Sequence, residues 1–155
     1  IFKLPEIYLQ KETAKIMSLN DPTKKMSKSL PEGCLEIFAD EEEIKEKIKK
    51  AVTDSGNEIQ YNPEKKPGIS NLMIIYKYLT NKSLTEIEQE FSGLGYSDFK
   101  EKIIEAFFEH FKTARERKKR IKKQEIDKIL AKGAKIANKV TNRNLIKILK
   151  ITGLR

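Results

Sequence analysis

Between Ile69 and Leu79 the chain reads ISNLMIIYKYL, with apolar side chains facing nearly every direction. An element that is apolar all round cannot keep a face in water, so it has to be a central helix with the rest packed round it. Gly68 stands just ahead of it, and Ser70 or Asn71 is placed to cap it. The flanking segments carry the helical period that such a centre needs. Ile44, Ile48, Ala51 and Val52 repeat at helix spacing behind a capping-box-like Asp40 and Glu43, with acids in the first turn and lysines in the last. Thr53 to Gly56 stops that helix, and Pro63 and Pro67 keep residues 57–68 a loop. Ser83-Leu84-Thr85-Glu86 opens a short helix to about Phe91, which Gly93 and Gly95 end. Asp98 is then the expected cap of a helix whose Phe99, Ile103, Phe107 and Phe111 form one stripe. At that spacing the aromatics read as a core face.

From Lys112 to Lys123 the text changes to KTARERKKRIKK, too polar to be held by burial, so it projects into solvent or lies on a charged partner. Apolar periodicity resumes at Ile126, Ile129 and Leu130 and runs to Ile148 and Leu149, with Gly153 as the stop. The expectation is a mainly α chain from residue 40 onward, behind a non-helical remnant. The opening IFKLPEIY reads as a strand or edge segment entered from something upstream, and with Ile1 in place of Met the chain is expected to be part of a larger protein.

Composition narrows the chemistry. Hydrophobic residues make up 38% and charged residues 35%, so a core forms under a strongly ionic surface. The single cysteine, Cys34, allows no internal disulfide and no thiolate metal pair. His110 is also alone, which leaves a histidine metal site or a serine–histidine dyad short of parts. No metal site is expected on this chain. No apolar run approaches 18 residues, so no membrane partner is expected either, and the cytoplasm is the default compartment.

The net charge of +9 is unevenly placed: residues 100–150 hold 17 Lys and Arg against 6 Asp and Glu, and residues 1–99 hold 14 against 17. A clustered excess of this kind is the footprint of a polyanion-binding surface, most often for nucleic acid. It is equally the pattern of a solvated helix face, and charge alone does not choose. The same ambiguity attends DPTKKMSKS, Asp21 to Ser29, where a turn runs into three lysines. Lys25 and Lys28 are three apart with Met26 and Ser27 between, which suits two ammonium groups bracketing a phosphate chain while backbone amides and the Ser27 and Ser29 hydroxyls donate as well. Taken by itself, a basic turn is more often a solvated loop.

The surrounding residues change that balance. KIMSLNDPTKKMSKS, Lys15 to Ser29, resembles the second signature of the class I aminoacyl-tRNA synthetases, with the lead-in of the tryptophanyl-tRNA synthetase family. AVTDS (Ala51 to Ser55), PGISNL (Pro67 to Leu72) and GYSDFK (Gly95 to Lys100) are similar to the same family, so the resemblance covers essentially the whole chain. It implies the end of an α/β Rossmann catalytic domain with its lysine loop over residues 1–33, and a helical, anticodon-side domain over residues 34–155. It implies that Lys25 and Lys28 contact the triphosphate of ATP, taken with Mg2+, and stabilise the departing pyrophosphate as tryptophan becomes the adenylate. Met26, Ser27 and Ser29 would shape the loop round the nucleotide, and Ile16 would touch its adenosine side. Lys24 receives no role. The implied partners are tRNA(Trp), ATP and tryptophan, the last bound in an upstream domain, and the full-length enzyme would be a homodimer. Arg115, Arg117, Lys118, Lys119, Arg120, Lys122 and Lys123 are the phosphate-contact candidates, chosen on charge rather than by any motif.

Two departures accompany the resemblance. Leu30-Pro31-Glu32-Gly33 stands where the family usually has an acid and a Pro-Asn turn, with Glu32 as a possible substitute. Nothing resembles the family's first signature, so the chain alone is expected to be inactive. The competing readings are a stand-alone basic helical RNA-binding module and the tyrosyl-specific sister enzyme.

Overall fold

The computed structural model describes residues 3–8 and 15–154. They fall into two compact units, one within Leu9–Arg115 and one within Ile1–Tyr8 and Glu116–Arg155. The elements are α1 (Glu41–Lys50), α2 (Pro67–Thr80), α3 (Leu84–Glu90), α4 (Tyr96–Arg120) and α5 (Lys123–Thr152), with a 3-10 turn at Pro31–Gly33 ahead of them. The chain is mainly α, as its periodicity predicts. The described residues contain no strand, only an isolated antiparallel bridge between Met17 and Lys25. The opening segment therefore differs from expectation. Residues 3–8 are exposed and without regular structure, because no described residue offers the ladder partner a strand requires. Ile1 and Phe2 of that segment lie outside the described residues.

In the unit within Leu9–Arg115, α2 is the centre: Ile69, Leu72, Met73 and Tyr76 are all buried in the core. Ile44 and Ile48 of α1, Ile87 of α3, and Phe99, Ile103 and Phe107 of α4 complete the same cluster. Tyr76, Phe91 and Phe99 meet edge to face with centroids 4.7–5.4 Å apart, so the aromatic stripe is core.

The helix ends show where local signals yield to tertiary ones. Asp40 caps α1 by accepting from the Glu42 amide, while Glu43 pairs with Lys47 at 2.7 Å instead of closing a capping box. The helix stops at Lys50, short of the expected Val52, because the Val52 amide donates to the Leu19 carbonyl. Lys100 Nζ then covers the end of α1 by donating to the carbonyls of Lys49 and Ala51. Ser83 and Glu86 form a full capping box on α3. Neither Ser70 nor Asn71 caps α2, which starts at Pro67; both side chains hold other segments. Asp98 accepts from the Gly95 amide but stands inside α4, not ahead of it.

In the second unit α5 has no buried residue, and Gly153 ends it in the left-handed region at φ 71°. No helix of the described residues is long and apolar enough to cross a membrane.

Candidate functional site

Asp21-Pro22-Thr23-Lys24 folds as the tip of a small hairpin, with proline in the position that its fixed φ suits. The Lys24 amide donates to the Asp21 carbonyl at 3.0 Å, and the Asp21 carboxylate accepts from both the amide and the hydroxyl of Thr23. Lys24 Nζ completes the turn 2.9 Å from Asp21 Oδ2. The Thr23 hydroxyl, followed by Lys24, holds the Asp21 carboxyl down to about 2. Lys24 is thus neutralised by its own turn.

Behind the tip, Ser18 N donates to Lys24 O at 2.8 Å and Met26 N to Ile16 O at 2.9 Å. These two bonds flank Met17 and Lys25, so the peptide groups of both residues point outward from the pair. On the Met17 side the edge is filled by Asn71. Its Oδ1 accepts from Met17 N and its Nδ2 donates to Met17 O, both at 2.9 Å. One carboxamide on the central helix thereby stands in for a third strand. On the other side, no described residue bonds the N–H or C=O of Lys25.

A second anchor lies two residues on, at Leu19. Leu19 is buried in the core, its amide donating to Gly33 O at 2.9 Å and its carbonyl accepting from Val52 N at 2.7 Å. A Cβ on Gly33 would stand 1.8 Å from Ser18 Oγ and 2.2 Å from Asn20 Oδ1, so the turn after the lysines needs glycine to lie this close. The Ala51–Ser55 segment that supplies Val52 is itself pinned from α4. Tyr96 donates its hydroxyl to the Asp54 carboxylate, with oxygens 2.8 and 2.9 Å away. Burial, then the Asp54 carboxylate, pushes the Tyr96 hydroxyl far above its ordinary range. Gly68 seats α2 on the same segment, for a Cβ there would be 2.1 Å from the Val52 carbonyl oxygen. The four motifs, scattered over 80 residues of sequence, are therefore one bonded assembly: GYSDFK holds AVTDS, and AVTDS and PGISNL hold IMSL.

The lysine loop leaves that assembly as an exposed strap. Met26 alone turns inward to pack on the core. Ser27 Oγ accepts from Ser29 N at 3.2 Å and Ser27 O from Leu30 N at 3.1 Å, closing a turn around Lys28. Lys25 and Lys28 are exposed, and no carboxylate of the described residues pairs with either. Ile16 is half-buried at the root of the hairpin. Beside it is an open recess of about 250 Å³ lined by Lys15, Met17, Pro22, Tyr61 and Asn71 among others. Glu32 borders a second recess of about 340 Å³ with Glu43, Glu46, Lys47 and Lys50. Both are shallow and open, unlike the enclosed pockets that small ligands favour. No described residues form a cluster of three metal-ligating side chains.

The basic candidates separate into two kinds. Arg115 is bound to protein: its Nη1 donates to Ile37 O at 2.6 Å and Ala39 O at 3.1 Å, and its guanidinium lies 5.3 Å from the Phe108 ring centroid. Its side chain is only 14% exposed. It closes the turn before α1, and a phosphate contact would require breaking that closure. Arg117, Lys118, Lys119, Arg120, Lys122 and Lys123 are exposed around the junction of α4 and α5. Charge alone does not set Arg115 apart from these; its helical spacing from Phe108 and Phe111 on a core-facing helix is the signal that separates it.

Comparison with known proteins supplies the remaining constraint. A family model described as tRNA synthetases class I (W and Y) matches residues 1–112. A tryptophan–tRNA ligase of Halalkalibacterium halodurans is 43% identical over 99% of this chain and 48% of its own length. That of Bacillus subtilis is 40% identical with the same coverage. A tryptophanyl-tRNA synthetase structure from Mycoplasma pneumoniae superposes with a TM-score of 0.80 at 30% identity, over 93% of this chain and 46% of that one. A Campylobacter jejuni tryptophanyl-tRNA synthetase, complexed with ADP and tryptophan, gives 0.71 at 30% identity over 98% and 47%. The chain spans about half the length of these relatives.

Proposed function

This chain belongs to the class I tRNA synthetases of the tryptophan and tyrosine group, and from that premise we propose that it is the part of a tryptophan–tRNA ligase that clamps ATP and meets tRNA(Trp). Tryptophan rather than tyrosine is favoured by the relatives at about 40% identity, which are tryptophan–tRNA ligases. In this reading residues 1–33 end a Rossmann catalytic domain and residues 34–155 form the helical domain. The tryptophan pocket lies in the upstream half, the full-length enzyme is a homodimer, and its compartment is the cytoplasm.

The reaction is attack of the tryptophan carboxylate on the α-phosphorus of MgATP, with loss of pyrophosphate, followed by transfer of the aminoacyl group to tRNA. As the bond to the β-phosphate breaks, negative charge builds on the leaving oxygens. Cations already placed there lower the barrier without having to reorganise. Lys25 and Lys28 supply those cations, the Lys25 amide and the Ser27 and Ser29 hydroxyls are available as further donors, Met26 anchors the loop, and Ile16 borders the adenosine. A strap with fixed roots and an exposed crest suits a loop that closes on substrate and reopens for product.

The observation that carries this reading is the pair of lysines without carboxylate partners, on a hairpin whose inner edge Asn71 pins to the core. Tryptophan-dependent ATP–pyrophosphate exchange by the full-length protein tests it. Exchange is expected from the whole protein and absent from these 155 residues alone. A full-length protein without tryptophan-dependent exchange would overturn the assignment.

A further inference from the structure

Val52 carries the one backbone bond from the segment after α1 to the root of the lysine loop, and α4 holds the chain on both sides of it. Residues 51–58 form neither helix nor strand, so side chains from elsewhere place their backbone. Two of these, Tyr96 and Lys100, stand one turn apart on α4 and so share a face. Ahead of Val52, Lys100 Nζ donates to the carbonyls of Lys49 at 3.0 Å and Ala51 at 2.7 Å. Beyond it, the Tyr96 hydroxyl donates to the Asp54 carboxylate, which also accepts from the Gly56 amide at 2.8 Å. A Cβ on Gly56 would stand 2.7 Å from Asp54 Oδ1, so the turn is closed tightly round that pair. Between the two grips the Val52 amide reaches the Leu19 carbonyl at 2.7 Å, and Leu19 in turn donates to Gly33 O at 2.9 Å. Leu19 and Gly33 bracket residues 20–32, which contain the lysine loop.

Packing does not explain these polar groups. The Tyr96 ring belongs to the core cluster, and phenylalanine would fill the same space without taking a hydroxyl out of water. Burial pushes the Lys100 ammonium below its ordinary range, and its hydrogen bonds go to backbone carbonyls. Covering the end of α1 accounts for Lys100 in part, but not for Tyr96, which holds the turn beyond that helix. A single grip would let the segment pivot. Two of them, on either side of the Val52 amide, fix its direction as well as its position.

We propose that Tyr96 and Lys100 are positioning residues for tryptophan adenylation. Their grip on residues 49–54 sets Leu19, and through Leu19 the roots from which Lys25 and Lys28 reach the leaving pyrophosphate. The proposal rests on the ligase reading of the loop. Asn71 holds the hairpin at Met17, whereas this grip holds a different point, the closure of the loop at Leu19 and Gly33.

The test is single-turnover adenylation by the full-length protein carrying Tyr96→Phe or Lys100→Met, with equilibrium tryptophan binding measured alongside. Each variant should slow adenylation by about 10- to 100-fold, since a displacement of about 1 Å carries a loss of the upper order. Tryptophan affinity should be unchanged. Asp54→Asn keeps an acceptor for the Tyr96 hydroxyl and should hold most of the wild-type rate, whereas Asp54→Ala should match Tyr96→Phe. A further arm repeats Tyr96→Phe in a Lys25→Ala/Lys28→Ala background. A residue that acts through those lysines has nothing left to position there, so its effect on rate should vanish. Circular dichroism and denaturant unfolding establish that the variants fold. Phenylalanine keeps the ring in the core, so Tyr96→Phe decides the matter even where Lys100→Met does not fold. Wild-type adenylation by folded Tyr96→Phe would overturn the proposal. So would an equal loss of tryptophan affinity, or a rate loss that adds in full to that of the lysine substitutions. Failure of the ligase reading shows separately, as absence of tryptophan-dependent exchange in the wild-type protein.

Discussion

Replacing Asn71 by alanine removes both bonds that hold the inner edge of the hairpin while touching neither lysine. Asn71 is 6% exposed, and both of its contacts are to the backbone of Met17 at 2.9 Å. Each hydrogen bond contributes about 0.5–1.5 kcal/mol net, and a buried peptide group left unpaired costs about 1–3 kcal/mol. Met17 is half-buried, so water recovers part of that loss, and the sum is about 2–3 kcal/mol. For a unit of this size that lowers the melting midpoint by roughly 8–15 °C. The functional effect should exceed the structural one in selectivity. A displacement of about 1 Å in a reacting group costs on the order of 100-fold in rate, so the adenylation step should slow by that order. Tryptophan affinity should hold. Denaturant unfolding and rapid-quench measurement of adenylate formation in the full-length enzyme provide the two readouts. Wild-type adenylation kinetics in Asn71→Ala would refute the claim that Asn71 positions the loop, and equal losses in rate and tryptophan affinity would reduce it to a general fold contribution.

Gly68→Ala should destabilise by more than ~2 kcal/mol, because its Cβ would stand 2.1 Å from a backbone oxygen that cannot rotate away; chemical denaturation checks this. Arg115→Met should cost about 2–4 kcal/mol by leaving the Ile37 and Ala39 carbonyls uncovered, and should leave the salt dependence of tRNA binding unchanged in a filter-binding assay. Tyr96 should be the last tyrosine to ionise on alkaline titration. Its hydroxyl is raised in the folded state, so the stability it contributes is complete below the ordinary tyrosine value of about 10 and is lost as pH climbs toward its folded value. Asp21 is displaced the other way. Its contribution is complete above the ordinary aspartate value of about 3.9 and is lost as pH falls toward about 2, which a carboxyl-carbon NMR titration of the hairpin follows.

How much of this was legible in the chain depends on whether a residue's partner is local. The central place of Ile69 to Leu79, the helix start at Ser83, the core stripe from Phe99 to Phe111 and the stop at Gly153 follow from periodicity and from contacts within one or two turns. The misplacements share one cause. Asn71 and Ser70 have the side chains of helix caps, but bonds to Met17 and Asn62 claim them. Val52 continues an apolar period, yet its amide leaves the helix for Leu19. Arg115 reads as one more surface cation until the Ile37 and Ala39 carbonyls, 78 and 76 residues away in sequence, are brought beside it. For the site, the family motif picks out Lys25 and Lys28 and leaves Lys24 without a role, and in the structure Lys24 pairs with the Asp21 carboxylate. The means by which three distant motifs hold the loop was not legible, since each bond crosses dozens of residues.

Lys25 and Lys28 are the residues proposed to act on the leaving pyrophosphate. Single-turnover adenylation by full-length Lys25→Ala and Lys28→Ala, set beside equilibrium tryptophan binding by the same variants, measures that directly. Loss of one charge-assisted contact made in the transition state is worth about 1.5–3 kcal/mol, or about 10- to 150-fold in rate, with tryptophan affinity unchanged. Adenylation at the wild-type rate, or a rate loss matched by an equal loss of tryptophan affinity, would contradict the assignment of the loop as an ATP clamp.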